Sequence, residues 1–319
     1  MNFQNLEYFI AVAEEENITK AANKLHLTQQ ALSGHLARLE EELGAELFTR
    51  KPTLKLTYAG QCFREKAEAM LSLERDSVNM MKDFRENLRG ELRIGISYSR
   101  GRAILPLVLP EYTETHPLVE CSIYEDNAPI LEEKLNSGEL DVIINFLPFS
   151  SPQIESEPLF TERLFLVAPK ALLKNAFGRE TESVIEKFKT TNDLGLFADL
   201  PFVLLRNGEH IRASVNREFA LHEMKPEVKI ETSNTQTAIA LAAEGMGITI
   251  VHETFLSTLP TVGNLSQAAR EEKLFLIPLT RSGIMDTIGI GYPRNRYVPK
   301  IATDFINLCR EKLTDATFR

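Results

Sequence analysis

Cysteine and histidine are too scarce and too scattered in this sequence to build a disulfide framework or a metal site. The 319 residues contain only Cys62, Cys121 and Cys309, which lie far apart and show no metal-ligand spacing. The six histidines form no HExxH or other paired-ligand pattern. We expect reduced thiols that serve as small apolar side chains, with a redox-switch pair as the alternative. The sequence therefore predicts no metal and no other cofactor.

A long apolar run is also missing. Stretches such as "AIALAA" (residues 238–243) are far shorter than the roughly 20 residues that a membrane-spanning helix needs. The opening residues, "MNFQNLEYFIAVAEEEN", carry no basic segment before their apolar stretch, which ends in three glutamates. They do not resemble a signal peptide. These features predict a cytoplasmic protein that does not contact a membrane.

The chain has no excess of positive charge. Its net charge of −9 argues against a protein that coats nucleic acid without regard to sequence. Residues 1–90 contain 12 Lys and Arg against 14 Asp and Glu, so this part is close to neutral. Any contact with DNA must therefore depend on a few well-placed side chains.

A leucine-rich helical pattern stands out near the start of the chain. It predicts a helix over about residues 2–15, a short second helix over about residues 18–26 and a third over residues 29–43. Thr28 suits the N-cap of the third helix, and Gly44 suits its C-terminal end. The last two helices form a helix-turn-helix. The third helix is expected to be buried through Leu32, Leu36, Leu39 and Leu43.

The small side chains of Ala21 and Ala22 let the second helix pack closely against the third. The face of the third helix opposite its buried leucines is polar. Glutamine matches the donor and acceptor pair of adenine in the major groove, and serine can bind a base or a phosphate. The alternative is an ordinary solvated helix face, with Arg38 paired to a glutamate one turn on. The residues expected to contact DNA are Thr28, Gln29, Gln30, Ser33, Gly34, His35, Arg38, Arg50 and Lys55.

The next segment, "ELFTRKPTLKLT" (residues 46–57), alternates apolar and polar residues around a proline, which predicts a two-stranded wing. A helical pattern then continues from Thr57 to about Leu88. Its roughly 30 residues would form a rod about 45 Å long. A rod with one apolar stripe needs a partner, and a duplex reader needs two copies at a fixed spacing. We interpret the rod as a dimerisation helix with Met70, Val78, Met81 and Phe84 in its stripe.

From about residue 91 the pattern changes to alternating strands and helices, which is typical of a parallel α/β fold. Nine strands in about 200 residues fit two small doubly wound lobes better than one sheet. The polar stretch over residues 173–200 is interpreted as an insertion with its own helix at about residues 184–189. The nine strand candidates are "LRIGIS", "VECSIYE", "DVIINF", "RLFLVAP", "PFVLLR", "EVKIET", "GITIVH", "LFLIPL" and "IGIGYP".

The patterns divide the chain into three parts. We predict a winged helix-turn-helix domain, a linker and dimerisation helix, and a two-lobed α/β domain. Their expected limits are residues 1–58, 59–90 and 91–319, with the first lobe at about 91–162 and 269–319 and the second at about 163–268.

The chain resembles the LysR-type transcriptional regulators. The resemblance is strongest over residues 5–60, in "LEYFIAVAEEENITKAANKLHLTQQALSGHLARLEEELGAELFTR" and "LTYAG", and continues in "LNSGELDVII" and "AAEGMGITIV". The chain departs from the family at Gly34, where a basic residue is usual, at Gln30, and at Val251–His252, where Leu-Pro is common.

This resemblance implies a sequence-specific regulator of transcription that binds double-stranded promoter or operator DNA and a small-molecule effector. It also implies self-association as dimers and as tetramers built from two dimers, with RNA polymerase as a further partner. The sensor half would resemble periplasmic binding proteins and hold the effector between its lobes.

In such a sensor the effector lies where strands end and helices begin, because unpaired backbone N–H groups point outward there. Ala128 stands where relatives often carry a hydroxyl residue, and aromatic side chains at Tyr98, Phe146 and Phe149 could make part of the cleft apolar. For Ser233 and Thr235 the alternative role is to cap the helix that follows. The residues expected to bind the effector are Ser97, Tyr98, Ser99, Arg100, Asn127, Asn145, Arg206, Asn207, Ser233, Thr235 and His252.

Two other classes of protein share parts of this pattern. An α/β enzyme with a helical dimerisation front lacks support, because the sequence has no GxSxG, no suggestive Cys and His pair and no GxxxxGK[ST] loop. The glycines of "EGMG" are better explained as a helix stop and a turn. A solute-binding protein would share the lobes, but a helical front of about 90 residues argues against it. The sequence favours a regulator.

Overall fold

A computed structural model describes residues 2–49, 53–83, 89–256, 273–280 and 283–314. The N-terminal part consists of four helices and a two-stranded wing. Their bounds are α1 Phe3–Glu15, α2 Ile18–Lys24, α3 Gln29–Leu43, β1 Phe48–Thr49, β2 Lys55–Leu56 and α4 Tyr58–Asp83. The predicted order of helices and wing is confirmed.

Side-chain caps fix where the first three helices begin. The side chain of Asn2 accepts the N–H of Asn5, and that of Asn17 accepts two N–H groups at the start of α2. Thr28 Oγ1 accepts the N–H of Ala31 at 3.2 Å, as the sequence predicted. Gly44 ends α3 with φ +65°, in the left-handed region that glycine adopts at little cost.

The core of this domain lies where α1, α2 and α3 meet. Ala21 and Ala22 are fully buried, in agreement with the close helix approach expected from their size. Leu32, Leu36 and Leu39 are buried as predicted. The prediction for Leu43 is wrong: its side chain remains 38% exposed, because the last turn of α3 extends past the core.

The described residues from 90 onward form the α/β domain, and all nine predicted strands are present. Its strands are β3 Gly90–Ile96, β4 Val119–Glu125, β5 Val142–Phe146, β6 Ile154–Pro169, β7 Pro201–Leu205, β8 Glu227–Thr232, β9 Thr249–His252, β10 Leu274–Pro278 and β11 Met285–Pro293. Its α-helices are α5 Tyr98–Thr115, α6 Ala128–Ser137, α7 Lys170–Phe177, α8 Thr181–Thr191, α9 His210–Leu221, α10 Thr235–Ala243 and α11 Lys300–Leu313. Helix α8 contains the predicted helix of the polar insertion.

The strand directions differ from the parallel sheet that the alternation suggested. β3 runs parallel to β4 and β5, and β7 runs parallel to β8. β11, however, pairs antiparallel with both β5 and β6, and β6 pairs antiparallel with β9 and β10. The domain is therefore a mixed α/β fold, since strands that return from one lobe to the other must run in the opposite direction.

Strand β6 belongs to both lobes. Its first part, up to Arg163, pairs with β11, and its last part, from Leu164, pairs with β9 and β10. Two separate apolar cores lie on either side of this change. One core includes β3, β5 and α11, and the other includes β7, α10 and β10. The expected return to the first lobe at residue 269 is thus too early, because β10 and Leu279 still pack in the second lobe.

The cysteines occupy three different environments. Cys309 is buried in the core of the first lobe, Cys121 is partly buried, and Cys62 is exposed on α4. Burial raises the pKa of the Cys309 thiol above its usual value. Within the described ranges, no helix is long and apolar enough to cross a membrane, and no group of three or more His, Cys, Asp or Glu side chains is placed to hold a metal ion.

Candidate functional site

The polar face of α3 is open to solvent where its first turn begins. Gln29 and Gln30 are exposed, Ser33 is partly buried, and a Cβ added at Gly34 would meet nothing within 4 Å. Arg38 is also exposed, and its Nε donates to the carbonyl of Gly34 at 3.2 Å. This surface is convex and polar, and a helix with such a surface can enter the major groove of DNA.

His35 lies on another side of the helix. Its ring packs edge-on against Tyr8 with centroids 4.9 Å apart, and its Nδ1 lies 3.1 Å from Oδ1 of Asn5. Both partners belong to α1. The structure thus uses this side chain to join α1 to α3, and a DNA contact from its partly buried ring stays a prediction.

The wing lies beside α3. Phe48 faces Leu56 and Thr49 faces Lys55 across β1 and β2, with Phe48 buried and Lys55 exposed. The same segment leads into α4 through Thr57, whose Oγ1 accepts the N–H of Gly60 at 2.9 Å. Lys55 thus presents a positive charge on the wing. Arg50, the other cation expected there, lies outside the described residues.

Helix α4 carries the predicted apolar stripe. Met70, Leu73, Val78 and Met81 are 36%, 59%, 46% and 56% exposed, although each is a large apolar residue. They recur three to five positions apart, so they share one side of the helix. Phe84, the last predicted member of the stripe, lies outside the described residues.

A cleft of about 760 Å³ lies between the two lobes of the α/β domain. It is bordered by the ends of β3, β5 and β7 and by the N-termini of α5, α6, α9 and α10. The predicted effector residues that line it are Ser97, Tyr98, Arg100, Asn127, Asn145, Asn207, Ser233 and Thr235. Ser99 lies in the first turn of α5 as expected, but its side chain is outside the described part of the structure.

Two buried polar side chains at this cleft retain unused donors. Asn145 is only 3% exposed; its Oδ1 accepts the N–H of Phe146, and its Nδ2 has no partner among the described residues. Arg100 is fully buried and paired with Glu162 at 2.8 Å, whereas its Nε and Nη1 find no hydrogen-bond acceptor in the described structure. Buried donors without acceptors are costly, so a ligand that offers acceptors would be favoured here.

Capping accounts for neither Ser233 nor Thr235. The N-cap of α10 is Asn234, whose side chain accepts the N–H groups of Gln236 and Thr237 at 2.9 and 3.0 Å. Asn234 therefore performs the capping that was the alternative role for Ser233 and Thr235. Both line the cleft instead.

Two predicted effector residues lie away from the cleft. Arg206 is exposed at the end of β7 and does not border the cleft. Its neighbour Asn207 lines the cleft instead. His252 is fully buried behind the cleft wall. The strand pattern placed both residues at a strand end but could not show which way each side chain turns.

His252 belongs to a buried charged network between the lobes. Its Nε2 lies 2.7 Å from Oδ2 of Asp286, and that same carboxylate accepts a hydrogen bond from Ser214 at 2.6 Å. Burial opposes ionisation of Asp286, but the hydrogen bonds with His210, His252 and Ser214 outweigh it and hold the pKa of Asp286 well below its usual value. Burial likewise opposes ionisation of Glu162, and Arg100 reverses the effect and lowers the pKa of Glu162.

An aromatic contact joins the two lobes directly at the cleft. The rings of Phe146, at the end of β5, and His210, at the start of α9, are stacked with centroids 3.7 Å apart. Arg100 lies over the same Phe146 ring, 4.6 Å from its centroid. His210 was not among the effector residues expected from the sequence. Its position at the start of α9, two residues after Gly208, could have indicated it. Asp286 gave no comparable signal, and neither did Phe255, which lines the cleft and whose ring centroid lies 5.5 Å from Arg100.

Two family models match the chain. The model described as "Bacterial regulatory helix-turn-helix protein, lysR family" matches residues 3–61, and the "LysR substrate binding domain" matches residues 85–314. Among known proteins, an uncharacterized HTH-type transcriptional regulator, YcgK of Bacillus subtilis, is 29% identical, covering 98% of this chain and 95% of that protein.

Solved structures share the fold over the whole chain. Full-length OxyR C199D from Pseudomonas aeruginosa has a TM-score of 0.72 at 22% identity, covering 100% of this chain and 96% of that one. Full-length CbnR in complex with its target DNA has a TM-score of 0.65 at 23% identity, covering 98% of this chain and 100% of that one. With both family models matched in order, the chain belongs to the LysR family of DNA-binding transcriptional regulators, which respond to an effector through their C-terminal domain and are not enzymes.

Proposed function

We propose that α3 enters the major groove and that Gln29, Gln30 and Ser33 read base edges there. The observation that supports this most directly is the exposed glutamine pair in the first turn, on a helix whose other side is buried in the core. The N-terminal residues of such a helix are those that reach base edges. Arg38 and Lys55 would contact phosphates on either side and set the position of the domain on the duplex.

A second copy of the chain would cover the apolar stripe of α4. The stripe runs over residues 70–81 and continues onto α1 through Phe3, which is 48% exposed. Packing two such helices would hold two copies of α3 at a fixed separation, as a two-half-site operator requires. We further propose tetramers formed from two dimers, a cytoplasmic location where the promoter DNA lies, and RNA polymerase as a partner at that DNA.

The cleft would bind a small molecule that carries hydrogen-bond acceptors and a flat or apolar part. The unpartnered Nδ2 of Asn145 and the first N–H groups of α5 would donate to the acceptors. Phe146, stacked on His210, and Tyr98, which is 64% exposed, would cover the apolar part. Ala128 offers no hydroxyl at the start of α6, so the acceptors are expected to gather on the side of Asn145.

The test is a selection of duplexes from a random pool by the full-length protein, followed by gel shifts with the selected duplex and a scrambled copy. We expect the selected duplex to bind at least about a thousandfold more tightly. The affinity for both duplexes should fall steeply as salt is raised. A solute-binding protein or an enzyme would enrich no sequence and give no salt-sensitive complex, and that result would overturn the proposal.

A further inference from the structure

Three arginines from separate parts of the chain meet at the C-terminal end of α6. Arg75 of α4 and Arg93 of β3 each donate from Nη1 to the carbonyl of Gly138, at 2.8 and 2.9 Å. Arg296, which follows β11, donates from Nη1 to the carbonyl of Leu135 at 3.3 Å. The last carbonyls of a helix lack partners within it and carry partial negative charge. The three guanidinium groups, called the arginine clamp below, place positive charge at this end of α6 and donate to the carbonyls of Leu135 and Gly138.

Two carboxylates complete the arginine clamp, and one of them, Asp76, attaches it to α4. Asp76 of α4 receives Nε and Nη2 of Arg296 at 3.0 and 3.1 Å, and the two side chains are only 10% and 17% exposed. Asp141 receives Nε of Arg93 at 3.0 Å. A two-point pair of this kind fixes geometry more strictly than a single hydrogen bond. Helix α4, which follows the DNA-reading domain, is thus bound to the C-terminal end of α6 in the sensor.

Glycine at position 138 is required by this contact. Gly138 ends α6 with φ +84°, and a Cβ added there would lie 2.0 Å from Oγ of Ser72 and 2.6 Å from Nη1 of Arg296. A Cβ at these distances would force Ser72 of α4 and Arg296 to move away. Helix α4 and Arg296 can approach the end of α6 only because this residue has no Cβ.

The other end of α6 borders the interlobe cleft. Asn127, its N-cap, and Pro129 in its first turn line the cleft. In its second turn, Glu132 is buried and accepts the N–H groups of Ser150 and Ser151, in the loop that follows β5. At about 1.5 Å per residue the helix spans roughly 15 Å. One rigid element therefore joins the cleft wall to α4.

We propose that α6 transmits changes in the cleft to the DNA-reading domain, and that Arg296, Asp76 and Arg75 are the positioning residues that connect it to α4. A shift at the cleft end moves the carbonyls at the far end, and the arginine clamp moves α4 with them. The proposal rests on the effector cleft proposed above only for the event that starts the movement. The contacts at the clamp do not depend on it.

The first experiment measures hydrogen exchange of the full-length protein without DNA or effector. Arg296→Gln removes the ion pair with Asp76, and Gly138→Ala pushes α4 away by steric contact. Both should speed exchange of the α4 amides over residues 71–83 by about tenfold, because local opening then breaks fewer contacts. Sedimentation of each variant ensures that exchange is compared at the same oligomeric state.

Matched controls separate the arginine clamp from general effects of these substitutions. Gly245→Ala places a Cβ at nearly the same φ, +82°, just after α10, with nothing within 4 Å. Arg310→Gln removes an exposed ion pair with Glu157 from α11. Both controls should leave exchange in α4 unchanged. If Arg296→Gln and Gly138→Ala also leave it within about twofold of wild type, the clamp does not hold α4 and the proposal is wrong.

The second experiment tests transmission along α6. Asn127→Ala removes the side chain that caps its first turn and accepts the N–H of Ile130. It should speed α4 exchange about threefold in the wild-type background and leave it unchanged when Arg296→Gln is already present, because coupled sites show non-additive effects. An equal effect in both backgrounds would overturn transmission through the clamp. Neither experiment uses DNA or effector, so failure of the proposed function would leave these results unaffected.

Discussion

His252 Nε2 lies 2.7 Å from Oδ2 of Asp286, in a buried position where the two lobes meet. The hydrogen bonds to Asp286 outweigh its burial and hold its pKa below the usual value of 3.8. The unfolded chain therefore takes up a proton at this residue at a higher pH than the folded protein does. Stability from this site is present above about pH 4 and is lost as the pH falls toward the folded-state pKa.

Asp286→Asn should weaken this pH dependence. We expect the free energy of unfolding of the wild type to fall more steeply between about pH 5 and pH 3 than that of the variant, because the amide cannot take up the proton. Urea titrations at a series of pH values measure the free energy of unfolding of the wild type and of the variant. The exposed Asp199→Asn provides the control and should follow the wild-type curve. A variant whose pH dependence matches the wild type would show that Asp286 is not held ionised by its neighbours.

Removal of one partner from the buried Arg100–Glu162 pair should be strongly destabilising. Arg100→Met should lower the free energy of unfolding by about 3–5 kcal/mol, since it leaves a buried carboxylate without its cation. Glu162→Gln added to that variant should restore part of the loss. Arg64→Met, in the pair with Glu68, should cost less than about 1 kcal/mol because Arg64 is 41% exposed. Equal losses in Arg100→Met and Arg64→Met would contradict this account of the interlobe network.

Positive charges on either side of α3 should act on any DNA. Lys55→Ala and Arg38→Ala should each weaken binding to the selected and to the scrambled duplex by similar factors. Each should also reduce the slope of log affinity against log salt by about one charge. The control Lys187→Ala, on α8 of the sensor, should change neither quantity. If the affinity fell only for the selected duplex, these residues would read the base sequence and would not bind phosphates.

The apolar stripe of α4 should be needed for self-association. Met81→Asp places a charge in a surface that we expect a second copy to cover, so sedimentation should show dissociation at concentrations where the wild type remains a dimer. Met285→Asp changes a methionine of similar exposure, 53% against 56%, at the start of β11 and serves as the control. If Met81→Asp sediments as the wild type does, α4 is not the dimer interface.

The sequence predicted best those features that depend on neighbouring residues. Thr28 and Gly44 were placed correctly because caps depend on short-range chemistry, and all nine strands of the α/β domain were found because their apolar patterns are local. Strand direction was not predictable in this way. β11 pairs antiparallel with β6, more than 100 residues earlier in the chain, and periodicity contains no information about that partner.

Side-chain direction limited the site predictions for the same reason. Asn145 and Thr235 were found at the cleft because strand ends and helix starts gather there. His252 turned away from it because Asp286, a residue 34 positions later, lies on the other side. The partly buried ring of His35 packs against Tyr8 of α1. In each case a long-range partner decided the outcome.

Recognition of a specific operator depends above all on base reading by α3. The decisive measurement is the difference in binding free energy between the selected and scrambled duplexes, for the wild type and for Gln29→Ala and Gln30→Ala. We expect each variant to lose about 1–3 kcal/mol of binding free energy on the selected duplex and almost nothing on the scrambled one. Equal losses on both duplexes, or no loss on either, would show that these glutamines do not read the sequence.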